Sequence, residues 1–428
     1  MSGIRVLVAG ASIAGPALAH WLHRRGAEVT VVERAPGLRP GGQAVDARGV
    51  AKEVIRRMGL DAAVRAACTD TAGAYTVDAD GNVLETFRAD DHGGDGYISE
   101  IEILRGDLSQ VLYDDTCDGV EYVFGDRIAG LTQDAAGVDV SFAGGDRRRF
   151  DLVIGADGLH SSLRAMVFGP REQFVRHLGM VLAFYTVPNE FGLDRWLIDY
   201  QEPGRSAGLR PLQDATRAMA MLSFTAADFD VDYRDVEAQK RLLRERMAGF
   251  GWLTPRILAH LDDTPDFYLD QVAQVVMDRW SSGRVGLLGD AAFSSSPMSG
   301  GGTGLALVGA YLLAGELAAT GWDPAAGFAA YEERMRPFVE ANQEIGRLHV
   351  HSRGVPDPDA QEDTQPGAEP DMGGTGPGPG RSARTATGDC VAVINAVSRD
   401  LGERFGMVSA MRTPPEDQRV PGPAPVVR

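Results

Sequence analysis

The chain has 428 residues, of which 44% are hydrophobic and 24% charged, with a formal net charge of −18. That length buries a large core and predicts two domains with a tail. The acidic surplus excludes nucleic acid and anionic membrane surfaces as partners, since both would be repelled.

Residues 4–9 read as an apolar strand, 16–25 as a helix and 28–33 as a second strand, the opening βαβ of a doubly wound sheet. Ala17-Leu18-Ala19 imitates an export signal, but Gly10, Ser12 and Gly15 break the apolar run and a strand follows, which argues against export. Residues 48–67 predict a helix, and 74–87 a hairpin turning at Asp80-Gly81-Asn82. A helix is expected over 101–114, a three-stranded meander over 121–150 and a short buried strand over 151–155. From about 174 to 274 the texture changes to alternating strands (181–187, 195–200, 218–224) followed by a charged helix (236–250). That predicts an antiparallel sheet with helical cover, an α+β domain inserted into the first. The nucleotide-type pattern resumes at Val285.

The expected fold class is therefore α/β: a Rossmann-like domain (1–73, 98–173 and 278–350) with an inserted antiparallel substrate domain (74–97 and 174–277). Residues 351–428 read as a Pro/Gly-rich linker, a short helix and a tail. No stretch reaches the ~20 uninterrupted apolar residues of a membrane span, and 304–318 comes nearest. Cys68, Cys117 and Cys390 form no C-x-x-C pair, which suits a reducing cytoplasm.

Three motifs carry the chemistry. The first is Gly10-Ala11-Ser12-Ile13-Ala14-Gly15 between strand and helix, with Glu33 closing the next strand. A pyrophosphate at that helix N-terminus, and ribose hydroxyls on Glu33, are what this pattern binds. Ser12 stands where the usual fingerprint has its middle glycine. The second, Asp157-Gly158-Leu159-His160-Ser161-Ser162-Leu163-Arg164, follows another buried strand. The third runs from Gly289-Asp290 through Pro297 to Gly300-Gly301-Gly302-Thr303-Gly304, which opens an apolar helix. A carboxylate at the carboxyl edge of a sheet, followed by a glycine-rich helix start, fits a bound, electron-rich ligand.

In this order and spacing the motifs resemble those of the single-component (group A) flavoprotein aromatic hydroxylases. That is the family of para-hydroxybenzoate hydroxylase and the tetracycline-modifying flavin monooxygenases. The resemblance covers roughly residues 4–350. It implies that Gly10–Gly15 and Glu33 hold the ADP half of FAD with Arg34 beside the adenosine. Asp157, Ser161 and Arg164 are then associated with FAD and with a passing NADPH or NADH. Asp290 takes the ribityl chain, Pro297 to Gly304 lie along the isoalloxazine, and Gly42, Asp46 and Arg105 contact the flavin. The implied reaction is oxygenation of a small aromatic or polyketide-like molecule by dioxygen through a flavin C4a-hydroperoxide. The flavin does the oxidation, so no catalytic acid or base is nominated, and no metal.

Two departures from the family pattern stand out. Phe293 replaces a common His, and Gly300-Gly301-Gly302-Thr303-Gly304 replaces G-Q-G-x-N, so the flavin is expected to rest on backbone donors. Phe184, Arg195, Trp196, Arg210, Met221 and Phe224, with Met298 and Ser299 beside the flavin, are the substrate-facing candidates. Alternation places Phe184 and Thr186 on one sheet face, with Ala183 and Tyr185 on the other.

Rival readings are weaker. Gly204-Arg205-Ser206-Ala207-Gly208 matches a hydrolase elbow only in letters, since a turn precedes it and a strand follows. A flavin-dependent halogenase would carry W-x-W-x-I-P and an essential lysine, but neither is evident and the only lysines are Lys52 and Lys240. A flavoprotein with a non-redox binding or cyclase role remains the alternative from another class. The chain is expected to be a cytoplasmic monomer or homodimer.

Overall fold

A computed structural model describes residues 3–91, 96–226, 232, 235–264 and 266–355; the expected C-terminal helix and tail lie outside them. Six strands form a sheet in the order Ser281–Ser282 (β17), Val285–Leu287 (β18), Leu152–Gly155 (β11), Arg5–Ala9 (β1), Glu28–Glu33 (β2) and Glu121–Phe124 (β7). Every pairing is parallel except β17 with β18. Val6, Leu7 and Val8 are wholly buried, as expected of a parallel strand covered on both faces.

Ala14–His23 (α1) packs against Gly302–Ala319 (α9), which in turn packs against Val50–Met58 (α2) and Pro324–Ser352 (α10). Helix α9 is long and apolar enough to span a membrane, but most of it is buried in this core, and enclosure explains its apolarity on all sides.

Seven strands form the second large sheet: Tyr268–Val275 (β16), Val175–Pro188 (β12), Arg217–Thr225 (β15), Arg205–Pro211 (β14), Trp196–Glu202 (β13), Gly73–Val77 (β4) and Val83–Arg88 (β5), in that order. One face packs Val181, Ala183, Tyr185, Leu209, Leu222 and Phe224 with residues of Val236–Arg246 (α6) and Thr254–Ala259 (α7). The other face turns toward the parallel domain, where Ala44–Asp46 (β3) and Glu102–Leu104 (β6) form a small antiparallel ribbon.

Three local expectations change. The helix expected over 48–67 is two, α2 and Asp61–Ala66 (α3), because Gly59 ends α2 in the left-handed conformation (φ +82°). The helix expected over 101–114 begins late: Glu102–Leu104 pairs as β6, and Arg105–Thr116 (α4) follows. The meander over 121–150 loses its first strand to the parallel sheet. Ile128–Gln133 (β8), Val138–Phe142 (β9) and Arg147–Phe150 (β10) make the antiparallel trio.

Candidate active site

The three motifs, spread over nearly 300 residues, meet at the carboxyl ends of β1, β11 and β18. At Gly10 (φ +108°) a Cβ would lie 2.4 Å from the carbonyl oxygen of Ala156, and at Gly15 a Cβ would lie 1.8 Å from that of Gly10. A side chain at either position would force the first motif off its own helix or off the second motif. Gly289 (φ +63°) closes the ring, since its Cβ would stand 3.2 Å from Ala14 Cβ.

Helix α1 starts from Ile13 with no side-chain cap, so its first N–H groups remain available to an anion such as a pyrophosphate. Ser12 lies in the turn between Gly10 and Ile13, with its Oγ beside that of Ser109. Glu33 accepts hydrogen bonds from the N–H groups of Ala11 (3.0 Å) and Ala35 (2.9 Å). This fixes a carboxylate at the end of β2 with lone pairs to spare. Beyond it opens a cleft of about 820 Å³ lined by Arg34, Leu38, Arg39, Gly125, Asp126 and Arg127, large enough for an adenosine.

In the second motif the Asp157 carboxylate accepts from Ser161 Oγ (2.5 Å) and the N–H groups of Ser162 (2.8 Å) and Leu163 (3.1 Å). Ser161 caps Ser162–Val167 (α5), taking the N–H of Arg164 at 2.9 Å. Arg164 is 1% exposed and donates to the carbonyls of Ala291 (2.8 Å) and Leu159 (2.7 Å). It is therefore a strut between the second and third motifs and has no surface to offer a passing nucleotide.

In the third motif Asp290 opens the short helix Asp290–Phe293 (α8). Loss of water raises its carboxyl above the usual range, while the guanidinium of Arg105 and Ser294 pull it back. Gly42 lies against Arg105, and the N–H groups of Arg105 and Gly106 donate to the carbonyls of Gln43 and Gly41. The 41–46 segment, Arg105 and Asp290 thus share one wall. Asp46 is bound by Arg48 (2.8 Å), and both line a small cavity of about 50 Å³ with Gly300, Gly301, Gly304 and Asn342.

Helix α9 begins at Gly302 behind Gly301 with no side-chain cap. The N–H groups of Gly302, Thr303 and Gly304 are its open first turn, a second positive helix end facing the groove. Phe293, where the family commonly has His, is 1% exposed and packs on Trp280 at 4.7 Å, so it is core.

Sequence reasoning missed what holds the 294–301 loop. Gln343 Nε2 donates to the carbonyls of Val275 (2.8 Å) and Ser294 (3.3 Å), and Gln274 Nε2 to those of Ser295 and Gln343. His349 Nδ1 lies 2.6 Å from the Met298 carbonyl. Polar residues spaced along a helix read as a solvated face; here Gln343 and His349 of α10, with Gln274 of β16, brace a loop from behind. Ser299 is wholly buried and bonded to Ser295, the Ser296 carbonyl and the Gly301 N–H. It shapes the loop and does not face a substrate, whereas Pro297 and Met298 stay accessible.

The substrate candidates divide by sheet face. Phe184, Met221 and Arg210 lie on the face turned to the flavin-type groove. Trp196 stacks on Tyr75 at 4.4 Å and Phe224 lies under α6 and α7, both on the opposite face. Arg195 is exposed and bonds Asp70. Arg210 pairs with Glu102 of β6 in the interior. Burial works against Glu102, but Arg210 and Thr69 hold its carboxyl below the usual range.

The chain matches the family model of the FAD binding domain over residues 3–345. It is 50% identical over 341 residues to the uncharacterized protein Rv1260 of Mycobacterium tuberculosis (strain H37Rv), covering 79% of this chain and 91% of that one. It is 38% identical over 350 residues to a flavin-dependent monooxygenase of Legionella longbeachae, covering 80% and 88%. Among solved structures, tetracycline destructase Tet(51) superposes with a TM-score of 0.79 at 34% identity, covering 93% of this chain and 98% of that one. Two uncapped helix ends, an adenosine-sized cleft and a ring of close glycine contacts fit FAD, and the chain belongs to the FAD-binding family of flavin-dependent monooxygenases.

Proposed function

We propose that this enzyme consumes NADPH or NADH and dioxygen to insert one oxygen atom into a small aromatic or polyketide-like molecule in the cytoplasm. The observation that carries the substrate class is the partly exposed aromatic floor of the seven-stranded sheet. Phe184 pairs with Met221 on one side and Tyr268 on the other, and the Phe184 and Tyr268 rings stack at 6.4 Å. A flat ring system is what such a floor accepts. Similarity to a tetracycline destructase supports a polycyclic occupant.

When bound, FAD supplies the redox chemistry, taking reducing equivalents from the nicotinamide and activating dioxygen. The chain's own residues bind and orient. The α1 N-terminus and Glu33 would hold the ADP half, Asp290 and Arg105 would flank the middle, and the first turn of α9 would offer N–H groups to the electron-rich edge of reduced flavin. The sheet floor would keep the reacting ring against the flavin and away from water.

A panel of aromatic and polyketide compounds, screened for stimulated NADPH and NADH oxidation and for product gaining one oxygen, tests this reading. Oxidation that no aromatic compound accelerates would count against it.

A further inference from the structure

We propose that Asp199 is the acceptor that orients the substrate, and that the enzyme selects polycyclic aromatics carrying a hydroxyl or similar hydrogen-bond donor at one end. This rests on the monooxygenase reading above and narrows its substrate.

The pairing registers place five residues in one row across the groove-facing side of the sheet. Asp199 pairs with Gly208, Gly208 with Met221, Met221 with Phe184 and Phe184 with Tyr268. Four strand spacings separate the ends of the row, about 19 Å at ~4.8 Å each. Met221, Phe184 and the exposed Tyr268 (44%) offer apolar and aromatic surface. Asp199 is the one acid in that row.

Gly208 lets the Asp199 side chain reach toward the middle of the row. A Cβ there would lie 3.0 Å from Asp199 Oδ1 and 3.1 Å from Met221 Cε, so the carboxylate and the thioether lean over the glycine into the space a larger side chain would take. Among the described residues the only hydrogen-bond donor to this carboxylate is Gln201, through Oδ2. Oδ1, the oxygen that leans over Gly208, has capacity left. Burial raises the Asp199 carboxyl above the usual range, opposed by Arg353 and Gln201. A partly desolvated acceptor of this kind gains most from a donor that arrives with the ligand.

A single ring seated on Phe184 would not reach Asp199 across two intervening strands. A fused tricycle lying over Phe184 and Met221 would, with its terminal hydroxyl donating to Oδ1. The opposite end of the row is also polar, since the Tyr268 hydroxyl donates to Asp270 Oδ2 (3.1 Å), which His160 Nε2 also contacts at 2.9 Å. Those groups are already paired with one another, which leaves Asp199 as the end with an open position.

The test measures dissociation constants of hydroxyanthracene and of its methyl ether by ligand fluorescence, on FAD-loaded wild type, Asp199→Ala and Asp199→Glu. Wild type should bind the hydroxyl compound about tenfold more tightly than the ether. Asp199→Ala should lose that preference with ether binding unchanged, and Asp199→Glu should recover part of it. Equal binding of the two compounds by wild type, or equal weakening of both in Asp199→Ala, would overturn the proposal. FAD content and flavin absorbance are recorded on the same samples. Loss of flavin from wild type would instead break the reading on which the proposal rests.

Discussion

Arg164 Nη1 donates to the carbonyl oxygen of Ala291 at 2.8 Å, across 127 residues of chain, and so welds the second flavin motif to the third. The guanidinium is desolvated, its pKa lowered by burial, and its Nε has no partner among the described residues. Arg164→Met leaves two buried carbonyls unpaired and is expected to cost about 2–4 kcal/mol of stability. Thermal unfolding with and without added FAD checks this, and unchanged melting would show the strut to be idle.

Gly10→Ala meets the Ala156 carbonyl at 2.4 Å in a backbone conformation that L residues avoid. Relief requires the first and second motifs to part. FAD per chain after purification is expected to fall well below that of wild type, while far-ultraviolet circular dichroism stays similar.

Gly302→Pro removes one backbone donor at the start of α9. Position 302 is the first residue of α9, where proline's fixed φ is tolerated. Gly301 before it is helical (φ −102°, ψ −5°), so Gly302→Ala, which keeps the N–H, is measured alongside to separate the lost donor from a shifted backbone. One charge-assisted hydrogen bond to reduced flavin is worth ~1.5–3 kcal/mol, or a potential lowered by about 30–65 mV for two electrons. Dye-equilibrated potentiometry reads it, and an unchanged potential would remove the α9 N-terminus from flavin tuning.

Glu102 and Arg210 make an interior ion pair between β6 and the substrate sheet. With its carboxyl held below the usual range, Glu102 contributes stability above its unfolded pKa, and that contribution is lost as pH falls through the folded value. Arg210→Met leaves the carboxylate buried and unpaired, so its folded pKa rises above the unfolded one. The variant is expected to be about 3–5 kcal/mol less stable at neutral pH and to recover part of that loss as pH is lowered toward 5. Urea melts at several pH values decide it. Adding Glu102→Gln should restore stability at neutral pH.

The parallel domain was legible because its signals are local. Gly10, Gly158 and Gly289 mark turns that follow short apolar strands, and Gly15 lets α1 start against Gly10. The substrate face was only partly legible. Alternation assigned Phe184 and Met221 to the correct strands, but nothing along the chain says which face of β13 or β15 meets α6. Trp196 and Phe224 were therefore named as candidates, while Asp199 and Tyr268, which only the strand register brings into one row with Phe184, were passed over. Glu102 was hidden in a segment that reads as helix, because three residues of edge pairing carry no period. Gln343 and Gln274 face a loop rather than solvent, a distinction that only packing makes.

The most direct test of a single FAD site serving oxygenation is anaerobic titration of purified protein with NADPH and with NADH, followed by isotopically labelled dioxygen and an active aromatic compound. The account requires bound FAD, bleaching of its absorbance by one of the two nucleotides, and one labelled oxygen atom in the product. Protein that carries no flavin under any expression condition, or product whose new oxygen comes from water, would contradict it.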